Sequence, residues 1–379
     1  MHSDEPAPQN EPIYVTRPHL PPLAEVSRLL EGVWERRILT NGGPLHQQLE
    51  EELAVYLGVE HLALVANGTL ALLIALKALR LQGEVVTTPF SFVATSEALS
   101  WNGLEPVFAD IDPHTYCLDP ASIEASITPR TTAILPVHCY GFPCDVEAIQ
   151  RIADDYNLKV IYDAAHAFGV DCHCGSLLQH GDFSVLSFHA TKVFNTFEGG
   201  AIVCPDAKTK KRIDRLKNFG FVDEQTVAAN GINAKMSELH AAVGLAQLPG
   251  MDAAIAARRR VAEAYLQQLA DLPGLSLPDF SGAQQANYAY FPVLVNEQAP
   301  LNRDAVLQQL RTAGIVPRRY FYPLIPQFQY YRSNASADPV RYPVAERVGE
   351  QVLCLPIYPD LGPDDVKRVV HVLRAALVA

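Results

Sequence analysis

Lys192 stands in the stretch SFHATKVFNTFEGG, residues 187–200. The apolar run at 183–188 reads as a buried strand, so this lysine falls just past a strand end and ahead of a glycine-closed turn. Open α/β sheets place their chemistry at that edge. A lysine amine held there can form a Schiff base with an aldehyde, provided burial or neighbouring charge keeps part of it deprotonated. By itself, a lysine after a strand is an ordinary solvated loop residue. Three further stretches supply groups that would work with it.

Asp163, in KVIYDAAHAFG, directly follows the apolar residues 160–162, a second short buried strand. Two neighbouring strands joined by a loop around 172–181 fit between Asp163 and Lys192, which would bring both to one sheet edge. A carboxylate facing a pyridine nitrogen keeps that nitrogen protonated, and so makes the ring of pyridoxal phosphate an electron sink. The plainer role for Asp163 is a helix N-cap. In VANGTLALLIALKAL, residues 65–79, a strand at 61–66 leads through an Asn67-Gly68 turn to Thr69, the expected cap of a helix apolar nearly all round. Free N–H groups at such a helix start attract anions, and Gly68 permits close approach by a phosphate. In TTPFSFVATSEAL, residues 87–99, Phe92 could stack on a planar ring or simply pack in the core.

Lysine, aspartate, anion-binding helix start and stacking ring are the four groups a pyridoxal phosphate site requires. Their order and surroundings closely resemble the DegT/DnrJ/EryC1/StrS sugar aminotransferase family, within the fold type I aminotransferases, from about Ile13 to the C-terminus. By that resemblance Lys192 is the Schiff-base lysine, Asp163 pairs with the pyridine nitrogen, and His166 stands beside the ring hydroxyl. Gly68, Thr69 and Ser187 would hold the phosphate, and Phe92 would cover one ring face. The stretch GINAKMSELHAAVGLAQL, residues 231–248, matches the family segment that reaches the neighbouring subunit's cofactor, with Asn233 as phosphate ligand. Lys235 occupies a position usually held by arginine. Phe197 replaces a common glycine before the Glu198-Gly199-Gly200 turn. Related sugar dehydratases carry histidine at the lysine position, so Lys192 favours amine transfer.

Composition narrows the setting. With 379 residues, a large domain plus a smaller one is expected, and 49% hydrophobic residues suffice for packed cores. No apolar run is long enough to span a bilayer, and residues 1–12, acidic and proline-rich, read as a disordered tail rather than a signal peptide. A formal net charge of −12 argues against nucleic acid as a partner. The basic run at 208–217 reads as a solvated helix face. An anionic sugar nucleotide would then need local cations, for which Arg318 and Arg319, beside Tyr320 and Tyr322, are candidates. Seven cysteines without a repeating spacing suit a reducing cytosol, and a cytoplasmic location is expected. Cys172-His173-Cys174 carries zinc-ligand types, but no second pair follows at finger spacing, and no metal is expected.

Short apolar strands alternate with helical patterns over residues 20–248, which predicts an α/β fold with a mostly parallel central sheet flanked by helices. Pro249-Gly250 would punctuate it. The expected division is therefore a large cofactor-binding domain at 13–250 and a smaller C-terminal α+β domain at 251–379, opened by a helix at 253–269.

The resemblance implies an aminotransferase acting on a nucleotide-linked keto sugar, with L-glutamate as donor and a homodimer sharing its active sites. Residues 38–59, 101–113 and 189–202 look most like members that aminate dTDP-4-keto-6-deoxyglucose at C4, giving dTDP-4-amino-4,6-dideoxyglucose for O-antigen synthesis. Amination at C3, a UDP-linked substrate, a noncatalytic cofactor-bound regulator and a dehydratase stay open, as does glutamine as donor.

Overall fold

The computed structural model describes residues 11–378; the expected tail lies outside them apart from Glu11 and Pro12. Strands without polar alternation must be covered on both faces. All of Gly200–Cys204 and Glu84–Thr87, and all but the last residue of Phe183–Ser187, are buried. They belong to a seven-stranded sheet whose spatial order is His61–Val65, Gly200–Cys204, Phe183–Ser187, Lys159–Asp163, Thr131–Leu135, Glu84–Thr87 and Glu105–Phe108. Only Gly200–Cys204 runs antiparallel to its neighbours. The C-terminal ends of the other six therefore share one edge, and Val65, Asp163 and Ser187 all end there.

Helices fill both faces. Gly68–Leu79 buries Leu72, Ile74, Ala75 and Leu76 against one side of the sheet. Pro44–Tyr56 and Glu238–Gln247 pack together on the other, with Leu49 and Leu53 fully enclosed. The helix cap differs from expectation. Asn67, rather than Thr69, caps Gly68–Leu79, its Oδ1 accepting from the Leu70 N–H at 2.9 Å. Asparagine is a strong N-cap, and the Asn67-Gly68 pair does the work assigned to a turn.

The basic run follows the sequence reading only in part, with Lys208 and Lys211 exposed. Ala207–Leu216 is helical, but Lys210 and Lys217 do not lie on a solvated face: they hold the half-enclosed Glu50 at 3.0 and 3.2 Å, and Lys217 also meets Asp214 at 2.9 Å. Their charges thus meet one carboxylate from another helix, Glu50, and one from their own segment, Asp214.

The C-terminal layer is a three-stranded antiparallel sheet, Leu275–Ser276, Phe291–Val295 and Val352–Leu355, covered by Arg303–Thr312 and Pro363–Leu377. Helix Met251–Leu269 joins the two bodies without a sharp border. Its Met251 and Ile255 lie in the large core, its Val261, Tyr265 and Leu269 in the small one. The N-terminal strand Ile13–Tyr14 pairs in parallel with Ile315–Val316, so the start of the chain packs on the C-terminal layer.

Candidate active site

A cavity of about 460 Å³ opens at the shared edge, lined by Gly68, Thr69, Phe92, Asp163, His166 and Ser187, with Lys192 reaching into it. Strand register explains the meeting. Lys159–Asp163 and Phe183–Ser187 are parallel neighbours with Asp163 opposite Val185, which sets the aspartate beside the chain that turns to Lys192. The lysine loop is tied down: the Lys192 N–H donates to His189 O at 2.9 Å, and the Thr196 N–H returns to Phe188 O at 3.0 Å.

Lys192 is half-covered by surface area, yet its amine end is ringed by protein. Burial draws its pKa down from 10.5 to about 8, against an opposing pull from the Asp163 carboxylate. Its Nζ lies 3.5 Å from the Tyr290 hydroxyl, a distant contact. Asp163, 5% exposed, accepts from Thr95 Oγ1 at 2.8 Å and from the Ala165 N–H at 3.1 Å. Burial raises its pKa above the usual carboxylate value, and those two hydrogen bonds and Lys192 pull the other way. His166 is pushed well below the ordinary histidine value by burial and then by Lys192, so the ring is neutral. Its Nδ1 accepts from the Tyr140 N–H at 3.1 Å, which leaves the proton on Nε2. Phe321 stacks on that imidazole, centroids 6.0 Å apart and planes at 4°.

Two features fit pyridoxal phosphate. Asp163 is buried without an ion-pair partner among the described residues, and a cationic pyridinium N–H would supply one. At the helix start, the Gly68 and Thr69 N–H groups find no protein acceptor among the described residues. A Cβ on Gly68 would sit 2.8 Å from Ser187 Cβ, so the glycine keeps the space between helix start and serine free for an anion. Phe92, 61% exposed, offers its ring at the cavity rim.

The structure does not bring every expected residue to this cavity. Tyr320 lines it, whereas Arg318 and Tyr322 do not. Arg318 is exposed and pairs in backbone with Cys354, and Tyr322 lies under the guanidinium groups of Arg303 and Arg319 at 4.6 and 5.1 Å. Asn233 is exposed, away from this chain's own cavity, and Lys235 donates to Asn218 Oδ1 at 2.7 Å. Sequence reasoning missed Thr95, Tyr140 and Tyr290. Thr95 follows Phe92 closely enough that a helix starting there could have pointed to it. Tyr140 and Tyr290 come from distant segments with no spacing that ties them to Lys192.

Comparison with known proteins agrees with this chemistry. A family model described as the DegT/DnrJ/EryC1/StrS aminotransferase family matches residues 23–374. A dTDP-4-amino-4,6-dideoxy-D-glucose transaminase of Shigella dysenteriae is 52% identical over 96% of this chain and 99% of its own length. A protein of the same description from Escherichia coli is 50% identical, covering 95% and 98%. Among solved structures, DesI in the presence of its TDP-sugar product superimposes with a TM-score of 0.92 at 40% identity, over 98% of this chain and 94% of that one.

Proposed function

This chain belongs to the DegT/DnrJ/EryC1/StrS aminotransferase family, and we propose that it converts dTDP-4-keto-6-deoxy-D-glucose to dTDP-4-amino-4,6-dideoxy-D-glucose with L-glutamate as amino donor. It is a transferase that uses pyridoxal phosphate. The observation that carries the substrate is the half-identity, over nearly full length, to two transaminases described by that product.

The cofactor supplies an aldehyde and a protonated ring that delocalises the charge left when an amine-bearing carbon gives up its proton. The chain's own residues do the rest. Gly68 and Thr69 N–H groups and the Ser187 hydroxyl would bind the phosphate, Phe92 would cover the ring, and neutral His166 would donate beside the ring hydroxyl. Asp163 would keep the ring nitrogen protonated. Lys192 would hold the aldehyde between turnovers. With substrate in place, its amine would stand free in the cavity as a base. With its pKa near 8, it takes the α-proton of glutamate in one half reaction and delivers a proton to the sugar's C4 in the other. Tyr290 stands close enough to give the released amine a hydrogen-bond partner.

The same reading takes the enzyme as a homodimer in which Asn233 of each copy reaches the other's phosphate. Support comes from the exposed apolar groups around it, Phe219, Phe221, Val227 and Ile232, all 39% exposed or more. Lys235, Arg318, Tyr320 and Tyr322 are proposed to meet the sugar nucleotide. No helix among the described residues is long and apolar enough to cross a membrane, and we place the enzyme in the cytoplasm, supplying an amino sugar for O-antigen.

The test loads the protein with pyridoxamine phosphate and adds dTDP-4-keto-6-deoxyglucose. Amino-sugar formation with return of the aldehyde form's absorbance supports the reading; an unchanged spectrum and no nitrogen-containing product refute it.

A further inference from the structure

Cys172, Cys174 and His180 gather on a surface hairpin that the amine-transfer chemistry does not use. Strands Asp171–Cys172 and Gly175–Ser176 form the hairpin, with His173 and Cys174 at its tip and Gly175 at φ +106°. A 3-10 turn, Leu177–Gln179, then folds the chain back on itself. Leu177 and Leu178 are buried and fix that turn. His180 arrives with its Nε2 3.5 Å from Cys172 Sγ and 3.2 Å from Cys174 Sγ. The ligand atoms of the three residues all lie within 4.8 Å of one another. None of the three lines the active cavity.

The two sulfur–nitrogen separations, though not that of the bonded sulfurs, match a known chemistry. Zinc bound to thiolate at about 2.3 Å and to imidazole at about 2.0 Å, with tetrahedral angles, sets sulfur and nitrogen about 3.5 Å apart. We propose that Cys172, Cys174 and His180 are a three-ligand Zn²⁺ site in the dithiol form of the protein, with water in the fourth position. The expectation of no metal rests on the lack of a second ligand pair and on neighbouring strand residues facing opposite ways; the fold adds a ligand from outside the Cys-His-Cys triplet, and His173 and Cys174 sit at the hairpin tip rather than on a strand.

In the structure the two cysteines are joined as a disulfide. A bridge between residues two apart closes too short a loop to restrict the unfolded chain much, so it is a poor staple. The remaining cysteines described, Cys117, Cys139, Cys144, Cys204 and Cys354, are free and buried. A small-molecule thiol reductant opens the Cys172–Cys174 bond by exchange. Two electrons and two protons convert it to two thiols, and the reductant leaves as its own disulfide. Zn²⁺ then displaces both thiol protons and binds the two thiolates and the imidazole.

The test uses the full-length, cofactor-loaded protein, reduced, freed of reductant without oxygen, and titrated with Zn²⁺ against a chromophoric chelator. Cd²⁺ in a parallel sample reports thiolate ligation by its ultraviolet charge-transfer band. One Zn²⁺ per chain is expected, with binding abolished in C172S/C174S and weakened on the order of a hundredfold in H180A. Aminotransferase activity should stay unchanged in both variants, which shows that they fold. Reduced wild type binding no more Zn²⁺ than C172S/C174S, H180A binding as tightly as wild type, or a disulfide that resists the reductant would each overturn the proposal.

Discussion

The reactivity of Lys192 depends on how far burial lowers its pKa, and capture of pyridoxal phosphate by the cofactor-free protein measures this directly. Only the neutral amine condenses with an aldehyde. With a pKa of about 8 in place of 10.5, the neutral fraction at pH 7 rises by about 300-fold over a solvated lysine. The second-order capture rate should climb about tenfold per pH unit below 8 and level off above it. Parallel measurements with a small primary amine divide out the titration of the aldehyde itself. D163N adds a sign test. The Asp163 carboxylate pulls the Lys192 pKa upward, so neutralising it should move the midpoint to lower pH while the loaded enzyme loses transamination. Thr95 and Ala165 can still hold the amide in place. A wild-type profile that keeps rising toward pH 10, or a D163N midpoint shifted upward, would refute the reasoning.

Other perturbations test separate parts of the account. G68A places a Cβ 2.8 Å from Ser187 Cβ, and equilibrium dialysis should show pyridoxal phosphate bound at least tenfold more weakly, about 1.4 kcal/mol, with the fold unchanged by circular dichroism. Burial would raise the Glu50 pKa, but Lys217, His46 and Lys210 together hold it below its ordinary value. Its folded pKa is therefore depressed, so its contribution is present above about pH 4.5 and fades as pH falls through the folded value. Urea unfolding at pH 7 should find E50Q less stable by roughly 3 kcal/mol, with the two proteins converging in acid. Mixed subunits of K192A and N233A, each inactive alone, should recover about a quarter of wild-type activity if a two-fold dimer shares its sites; no recovery after confirmed exchange counts against Asn233. Y290F should lower kcat more than it raises KM and shift the kcat pH profile, because it removes the hydroxyl 3.5 Å from Nζ.

Much of the catalytic edge was legible because local signals agreed. Apolar runs ending at Asp163 and before Lys192 set two strand ends, and the Asn67-Gly68 pair set a helix start beside them. Helix Val146–Tyr156 shows the same agreement, since Asp145 caps it and its apolar positions recur at helical spacing. The cap itself was misplaced because Asn67 and Thr69, two residues apart, compete for the same role. The basic run was legible in part: Lys208 and Lys211 face solvent, but Glu50, distant in sequence, draws Lys210 and Lys217 inward. Tyr290 and His180 were invisible for a related reason. Neither lies in a periodic element: Tyr290 sits just before strand Phe291–Val295, and His180 just after a three-residue turn.

Amination at C4 is the central claim, and ¹⁵N-labelled glutamate tests it most directly. After turnover with dTDP-4-keto-6-deoxyglucose, the account predicts a nucleotide sugar whose ¹⁵N couples to C4 and its proton in the NMR spectrum. A product labelled at C3, or one that has lost oxygen without gaining nitrogen, would contradict it.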